Sequence, residues 1–183
     1  MNLDLDQALL VARNAAQAAG ELIDRYYAQG VDVRIKADAT PVTLADEESE
    51  QVIRQVLLAA YPDHAIYGEE GGRTGDSDYL WLVDPIDGTK SFVRGYPMFS
   101  TQIALMYRGE LVLGVSHASA YRETAWARRG GGAFLNGVPC KVAATADWSK
   151  AALSTGNLKT LAGNPAGWQA LAGLVRGAHR IRG

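Results

Sequence analysis

Six consecutive residues, Asp84-Pro85-Ile86-Asp87-Gly88-Thr89, have the types and spacing needed to handle an anionic ligand through a metal. Two carboxylates so close repel each other unless a cation lies between them. Hard oxygen donors of this kind suit Mg²⁺, and the backbone carbonyl of Ile86 would add another. Pro85 fixes the turn and removes one backbone donor. Gly88 lets the main chain pass close to a ligand, and Thr89 brings a hydroxyl and a backbone N–H. Asp, Pro and Gly are also common turn residues, so a bare aspartate pair would read as an acidic surface turn. The apolar run Tyr79-Leu80-Trp81-Leu82-Val83 in front, and a second acidic stretch upstream, favour a metal site.

That second stretch is Gly68-Glu69-Glu70-Gly71, where Glu69, next to a strand end, is the ligand candidate and Glu70 a solvated loop residue. Asp46 is the third piece. Thr43-Leu44-Ala45-Asp46 has the spacing of a capping box, with Asp in place of the usual Glu or Gln. A carboxylate in a first helical turn stays ionised beside the positive end of the helix dipole, and facing the Thr89 hydroxyl it would accept a proton through it. Lys90 and Arg94 lie just past the motif, either to contact phosphate or the rest of a substrate, or as ordinary surface charge. His64, His117 and His179 have no ligand spacing, and Gly130 to Gly132 is a structural corner with no helix start after it.

These residues need elements to hold them. Leu5, Leu9, Ala12, Ala16, Ala19, Ile23 and Tyr26 form one face of a long helix stopped near Gly30, rich enough in Ala for close packing. Val31 to Ile35 reads as a short extended piece. A second helix begins at Thr43 and ends at Tyr61-Pro62. Strands are expected at His64 to Tyr67 and at Tyr79 to Val83, the latter ending on Asp84, with Arg73 to Asp78 as polar loop between them. Phe99 to Tyr107 alternates, Arg108-Gly109-Glu110 turns it into Leu111 to Ser116, and Thr124 to Arg128 follows. Asn136-Gly137 closes a hairpin between Ala133-Phe134-Leu135 and Val138. Ala151 to Thr155 reads as a strand, Trp168 to Val175 as a helix, and His179 to Gly183 as the start of a strand. The order predicts an α+β fold of layered α/β/α type.

The chain has 183 residues, 48% hydrophobic and 21% charged, with formal net charge -2. That balance supplies a core and gives no bulk reason to expect nucleic acid or an anionic membrane as partner. Cys140 is the only cysteine, so there is no intrachain disulfide and a reducing cytoplasm is expected. The acidic start Met1 to Asp6 is unlike a signal peptide, and no apolar stretch is long enough to cross a bilayer.

With these pieces in place the sequence resembles the inositol monophosphatase superfamily of Mg²⁺-dependent, lithium-sensitive phosphatases. The matching segments are Pro41 to Asp46, Gly68-Glu69-Glu70, Trp81 to Thr89, Gly132-Ala133 and Asn136-Gly137. Thr89 to Pro97 and Ala152 to Thr155 look closer to the histidinol-phosphate phosphatase branch, which serves histidine biosynthesis. The resemblance implies a layered α/β/α/β/α sandwich and a homodimer. It implies a phosphomonoesterase whose complete site holds two or three Mg²⁺ ions. Glu69, Asp84, Asp87 and the Ile86 carbonyl would bind metal, with Asp84 bridging two ions. Asp87, Gly88 and Thr89 would also touch phosphate. Thr89 and Glu69 would position a metal-activated water, with Asp46 behind Thr89, for direct in-line attack.

One piece of the family pattern is missing. The Trp-Asp-type motif that places a further metal-binding aspartate in the C-terminal half has no match, since Trp126, Trp148 and Trp168 are not followed by Asp. The expectation is a single phosphatase domain over residues 1–183, with residues 1–145 an α+β section holding the metal site and 146–183 the start of an incomplete C-terminal α/β section. Histidinol phosphate is the expected substrate. Inositol 1-phosphate is the alternative, and a truncated, non-catalytic chain with partial metal binding is the rival reading.

Overall fold

The computed structural model of the protein describes residues 3–30, 33–35, 41–156 and 158–182. They form two compact units, Met1–Cys140 and Lys141–Gly183. The first unit opens with α1 (Leu5–Gln29), whose N-cap Asp4 accepts hydrogen bonds from the Asp6 and Gln7 amides at 2.9 and 3.2 Å. It ends at Gly30 with φ of 78°. A small antiparallel pair follows, β1 (Val33–Ile35) with β2 (Pro41–Thr43); Val31, also expected to be extended, lies outside the described residues. Then come α2 (Leu44–Ala60), β3 (Ala65–Gly68), β4 (Gly72–Thr74), β5 (Tyr79–Asp87), the short α3 (Thr89–Phe92), β6 (Ser100–Tyr107), β7 (Glu110–Ala118), β8 (Glu123–Arg128), β9 (Gly132–Leu135) and β10 (Val138–Cys140).

Strands β3 to β10 make one sheet in the order β10-β9-β8-β7-β6-β5-β3-β4, antiparallel except where β3 runs parallel to β5. Period-two alternation divides its faces. Trp81 and Val83 of β5, Ile103 and Leu105 of β6, and Leu113 and Val115 of β7 are buried against α1 and α2. Fully buried side chains of this size contribute roughly 1.5–3 kcal/mol each. The alanine face of α1 permits the close approach its composition predicts: a Cβ on Gly20 would come within 2.6 Å of His117 Nε2, and His117 is itself pinned through Nδ1 to Thr124 Oγ1 at 2.8 Å. Leu82 and Asp84 of β5, and Gln102 and Ala104 of β6, fall on the alternate positions.

Several boundaries differ from the sequence reading, for local reasons. Strand β5 does not stop at Asp84 but runs through the motif to Asp87. The ladder pairs Asp84 with Gln102 and then Asp87 with Ser100, so β5 carries one extra residue there, a bulge. Thr101, buried opposite, donates to the freed Pro85 carbonyl at 2.9 Å. Part of the expected loop Arg73 to Asp78 is instead the edge strand β4, whose polar, exposed residues show no alternation to read. The turn of helix α3 was also not expected.

The second unit is a parallel pair, β11 (Ala152–Ser154) with β12 (Arg180–Arg182), joined through α4 (Leu158–Ala162) and α5 (Pro165–Gly177). Asn164 caps α5, accepting from the Gly167 amide at 3.1 Å ahead of Pro165 in the first turn. Trp148 Nε1 donates to the Leu174 carbonyl at 2.9 Å. This is the alternating α/β pattern expected there, with α5 longer than the predicted segment and α4 additional. Among the described residues no helix is long and apolar enough to cross a membrane.

Candidate metal centre

The carboxyl ends of β3 and β5 lie side by side because the two strands are parallel, Gly68 pairing with Val83. Each strand therefore delivers its acidic residue to the same edge. The Glu69 amide donates to the Val83 carbonyl at 3.0 Å, holding Glu69 next to Asp84. Burial first, then the charge of Glu69, a hydrogen bond to Glu69 and the charge of Asp87 push the Asp84 carboxyl up to about 7, against a smaller downward pull from the Ile86 amide. Asp84 Oδ1 is buried without a hydrogen-bond partner.

Thr89 and Asp46 also meet. Thr43 Nα–H and Oγ1 donate to Asp46 Oδ2 at 2.8 and 2.6 Å, and the Asp46 amide donates to Thr43 Oγ1 at 3.4 Å, so the capping box read from sequence is present. Asp46 is 2% exposed. Its Oδ1 lies 3.4 Å from Thr89 Oγ1, and that hydroxyl lies 3.1 Å from the Ile86 carbonyl. A hydroxyl has one proton to donate, so Ile86 and Asp46 share it. Gly88 has φ of 102°, and a Cβ there would sit 2.6 Å from the Met98 carbonyl, so only glycine fits this crossing. The structure leaves Lys90 and Arg94 on the exposed side of the α3 turn, where Arg94 Nη1 donates to the Lys90 carbonyl at 2.8 Å.

Sequence reasoning missed the residue that holds the acidic loop. Glu50, on α2 and 2% exposed, accepts from the amides of Glu70 and Gly71 at 2.7 and 2.9 Å and from Arg54 Nε at 2.8 Å. Arg54 in turn donates to the Gly72 carbonyl at 2.6 Å and to Thr74 Oγ1 at 2.8 Å. The fit is tight: a Cβ on Gly68 would land on the Glu50 carboxylate, and one on Gly71 would lie 2.7 Å from it. The available sequence signal was Glu50 and Arg54 at i, i+4 on a helix, which alone reads as surface charge.

Among the described residues, no three His, Cys, Asp or Glu side chains stand in a ready-made cage. The oxygens gathered at the β3 and β5 ends are nonetheless hard donors, and the orphaned Asp84 Oδ1 carries a desolvation cost that a dication would offset. In charge and donor chemistry the set of Glu69, Asp84, Asp87 and the Ile86 carbonyl fits Mg²⁺.

Residues 4–164 match the model of the Inositol monophosphatase family. The chain is 41% identical over 141 residues to a histidinol-phosphatase of Chlorobaculum parvum, covering 76% of this chain and 54% of that protein. It is 42% identical over 154 residues to the Nus factor SuhB of Pseudomonas aeruginosa, covering 81% and 57%. The crystal structure of the extragenic suppressor protein suhB from Bartonella henselae superposes with a TM-score of 0.86 at 32% identity, covering 96% of this chain and 69% of that one. The chain thus spans about half the length of the curated relatives it matches.

Two outcomes follow from the geometry. Glu50→Gln keeps the shape but removes the charge that two amides and Arg54 converge on. It should cost about 2–3 kcal/mol in urea unfolding; a loss below about 0.5 kcal/mol would mean the clamp is slack. The raised Asp84 carboxyl predicts a pH dependence. The unfolded chain releases this proton near 3.8, the fold only near 7. In that window the folded state binds more protons, so stability from Asp84 is full below the unfolded value and is lost as pH rises through about 7. In metal-free buffer the stability of the wild type relative to Asp84→Asn should therefore fall between pH 4 and pH 7, whereas a constant difference would contradict the burial argument.

Proposed function

Because the chain belongs to the inositol monophosphatase family, we propose that it supplies the metal-binding part of a Mg²⁺-dependent phosphomonoesterase acting on a small phosphate monoester. The observation that carries this reading is Asp84, whose buried Oδ1 has no hydrogen-bond partner at the strand end where the parallel pairing of β3 with β5 brings Glu69 beside it, so that burial and the neighbouring carboxylates push its carboxyl up. Perturbed carboxylates of this kind cluster where proteins do chemistry.

When bound, Mg²⁺ would supply positive charge against the phosphoryl oxygens and polarise the attacking water. The remaining work falls to the chain. Glu69, Asp84, Asp87 and the Ile86 carbonyl would hold the cation. Glu69 and Thr89 would orient the water, and Asp46, in the first turn of α2, lies behind the Thr89 hydroxyl, where it would take up its proton. The N–H groups of Gly88 and Thr89, with Asp87, would contact the phosphate. Lys90 and Arg94 are near enough in sequence to act on the phosphate or the rest of the substrate. Attack would be direct and in line, leaving no residue phosphorylated.

Histidinol phosphate is the substrate this reading favours, supported by the stretch Thr89 to Pro97 and by the 41% identity to a histidinol-phosphatase. Inositol 1-phosphate is the second choice. Against the rival, a truncated, non-catalytic chain with partial metal binding, stand the intact Glu69, Asp84 and Asp87; in its favour stands the unmatched Trp-Asp-type motif. Phosphate release measured with and without Mg²⁺ tests the reading. Asp84→Asn should reduce Mg²⁺-dependent turnover to background, and Thr89→Ala should reduce it by about 10²–10³-fold. Turnover that needs no Mg²⁺, or survives Asp84→Asn, would refute the assignment.

A further inference from the structure

Between α1 and the corner that joins β8 to β9 lies a hollow of about 320 Å³ that shares no residue with the metal centre. Trp126 pairs with Val115 on the face of the sheet that packs against α1, whereas Asp84 and Gln102 take the alternate positions. Asp6, Leu9, Leu10 and Arg13 follow one another at spacings of three and four, so α1 presents them from one face. Trp126 and Phe134 occupy paired positions of β8 and β9, their ring centres 5.9 Å apart and their planes 18° from parallel. Gly132 stands opposite Arg128 in the same register. A Cβ there would sit 3.8 Å from Phe134 Cε2, so glycine keeps the space beside that ring open.

The two arginines of the hollow are unequally matched. Arg128 forks through Nε and Nη2 onto both oxygens of Asp6, 122 residues away in the chain. Gly131 makes room for it, since a Cβ there would come within 2.6 Å of Arg128 Cγ. Arg13 has no such partner. Its guanidinium carbon lies 3.7 Å from the centre of the Trp126 ring, and its Nε is buried without a hydrogen-bond partner. Among the described residues it makes no ion pair. Stacking on an aromatic face orients the planar fork but fills none of its five N–H donors. A half-buried guanidinium left this way carries a desolvation cost that a nearby oxyanion would offset.

We propose that this hollow is a binding site for a small apolar monocarboxylate. The Nη groups of Arg13 take the carboxylate, and Trp126 holds the fork flat, so little freedom is lost on binding. With Asp6 already neutralising Arg128, the lining carries one net positive charge. That balance suits a monoanion, while a dianion would meet the Asp6 carboxylate. Phe134 and the rim residue Leu10, 47% exposed, cover the apolar body. The volume is that of a small-molecule site.

Binding is read from the Trp126 indole N–H resonance of the full chain, assigned by its loss in Trp126→Phe. Benzoate supplies charge and apolar body together, acetate the charge alone, benzamide the body alone, and inorganic phosphate a second charge. Benzoate should shift the resonance with a Kd on the order of 1 mM, as its few heavy atoms allow. Acetate, benzamide and phosphate should each bind at least about tenfold more weakly. Arg13→Gln removes the positive charge and should weaken benzoate by about tenfold or more. Leu10→Glu, at the exposed rim, puts a like charge beside the carboxylate and should weaken it too, which keeps the test decisive if Arg13→Gln fails to fold. A resonance unmoved by benzoate at about 50 mM would overturn the site. So would acetate, benzamide or phosphate binding as tightly as benzoate, or full benzoate affinity in either variant once folded.

Discussion

The end of β5 is built around mutual repulsion. Asp84 is half-buried beside Glu69 and Asp87, and burying like charges together is among the least favourable arrangements a fold can contain. The surrounding residues counter it. The parallel pairing of β3 with β5 brings Glu69 to Asp84. The Glu50 carboxylate and Arg54 lock the loop that carries Glu69. The bulge at Asp84 to Asp87, held by Thr101 on the Pro85 carbonyl, aims the motif, and Gly88 lets it cross under Met98. Such strain persists where neighbouring structure over-determines it, and it gathers at functional sites. A dication would resolve the repulsion, and the proposed activity would use that resolution.

The support around the site is layered. Asp46 is fixed twice, by Thr43 at the helix start and by Thr89 across the site, so its position does not depend on a ligand. Glu50 sits one turn further along the same helix and acts on the other acidic loop. One helix therefore holds both halves of the centre, Thr89 through Asp46 and the Glu69 loop through Glu50. Its own position comes from Ile53 and Leu57, fully buried in the core. Core packing and site geometry are thus linked through α2, and loosening the first would loosen the second.

What could be read from the sequence was local. Asp84 to Thr89 is legible as a pair of nearby carboxylates because they stand three residues apart behind an apolar run, and Thr43 to Asp46 because a capping box closes within four residues. The helices are legible from their apolar periods, and most strands from alternation. What stayed hidden depends on contacts between distant segments. Glu50 meets Glu70 and Gly71 across 20 and 21 residues, and nothing near Glu50 announces it. Ser100 and Ser116 join through Gln102 only because of the β6–β7 register. Strand β4 is polar and exposed, so its only cause is pairing with β3. The run of β5 past Asp84 was hidden too, since a proline there reads as a stop and only the bulge absorbs it.

The central claim is that the crowded carboxylates form a dication site, and unfolding in the presence of Mg²⁺ tests it most directly. Binding to the folded state alone raises stability by RT ln(1 + [Mg²⁺]/Kd). At a pH above 7 the urea midpoint of the wild type should climb steadily with Mg²⁺ concentration, while that of Asp84→Asn stays flat. A wild type indifferent to Mg²⁺, or an equal rise in both proteins, would contradict the account.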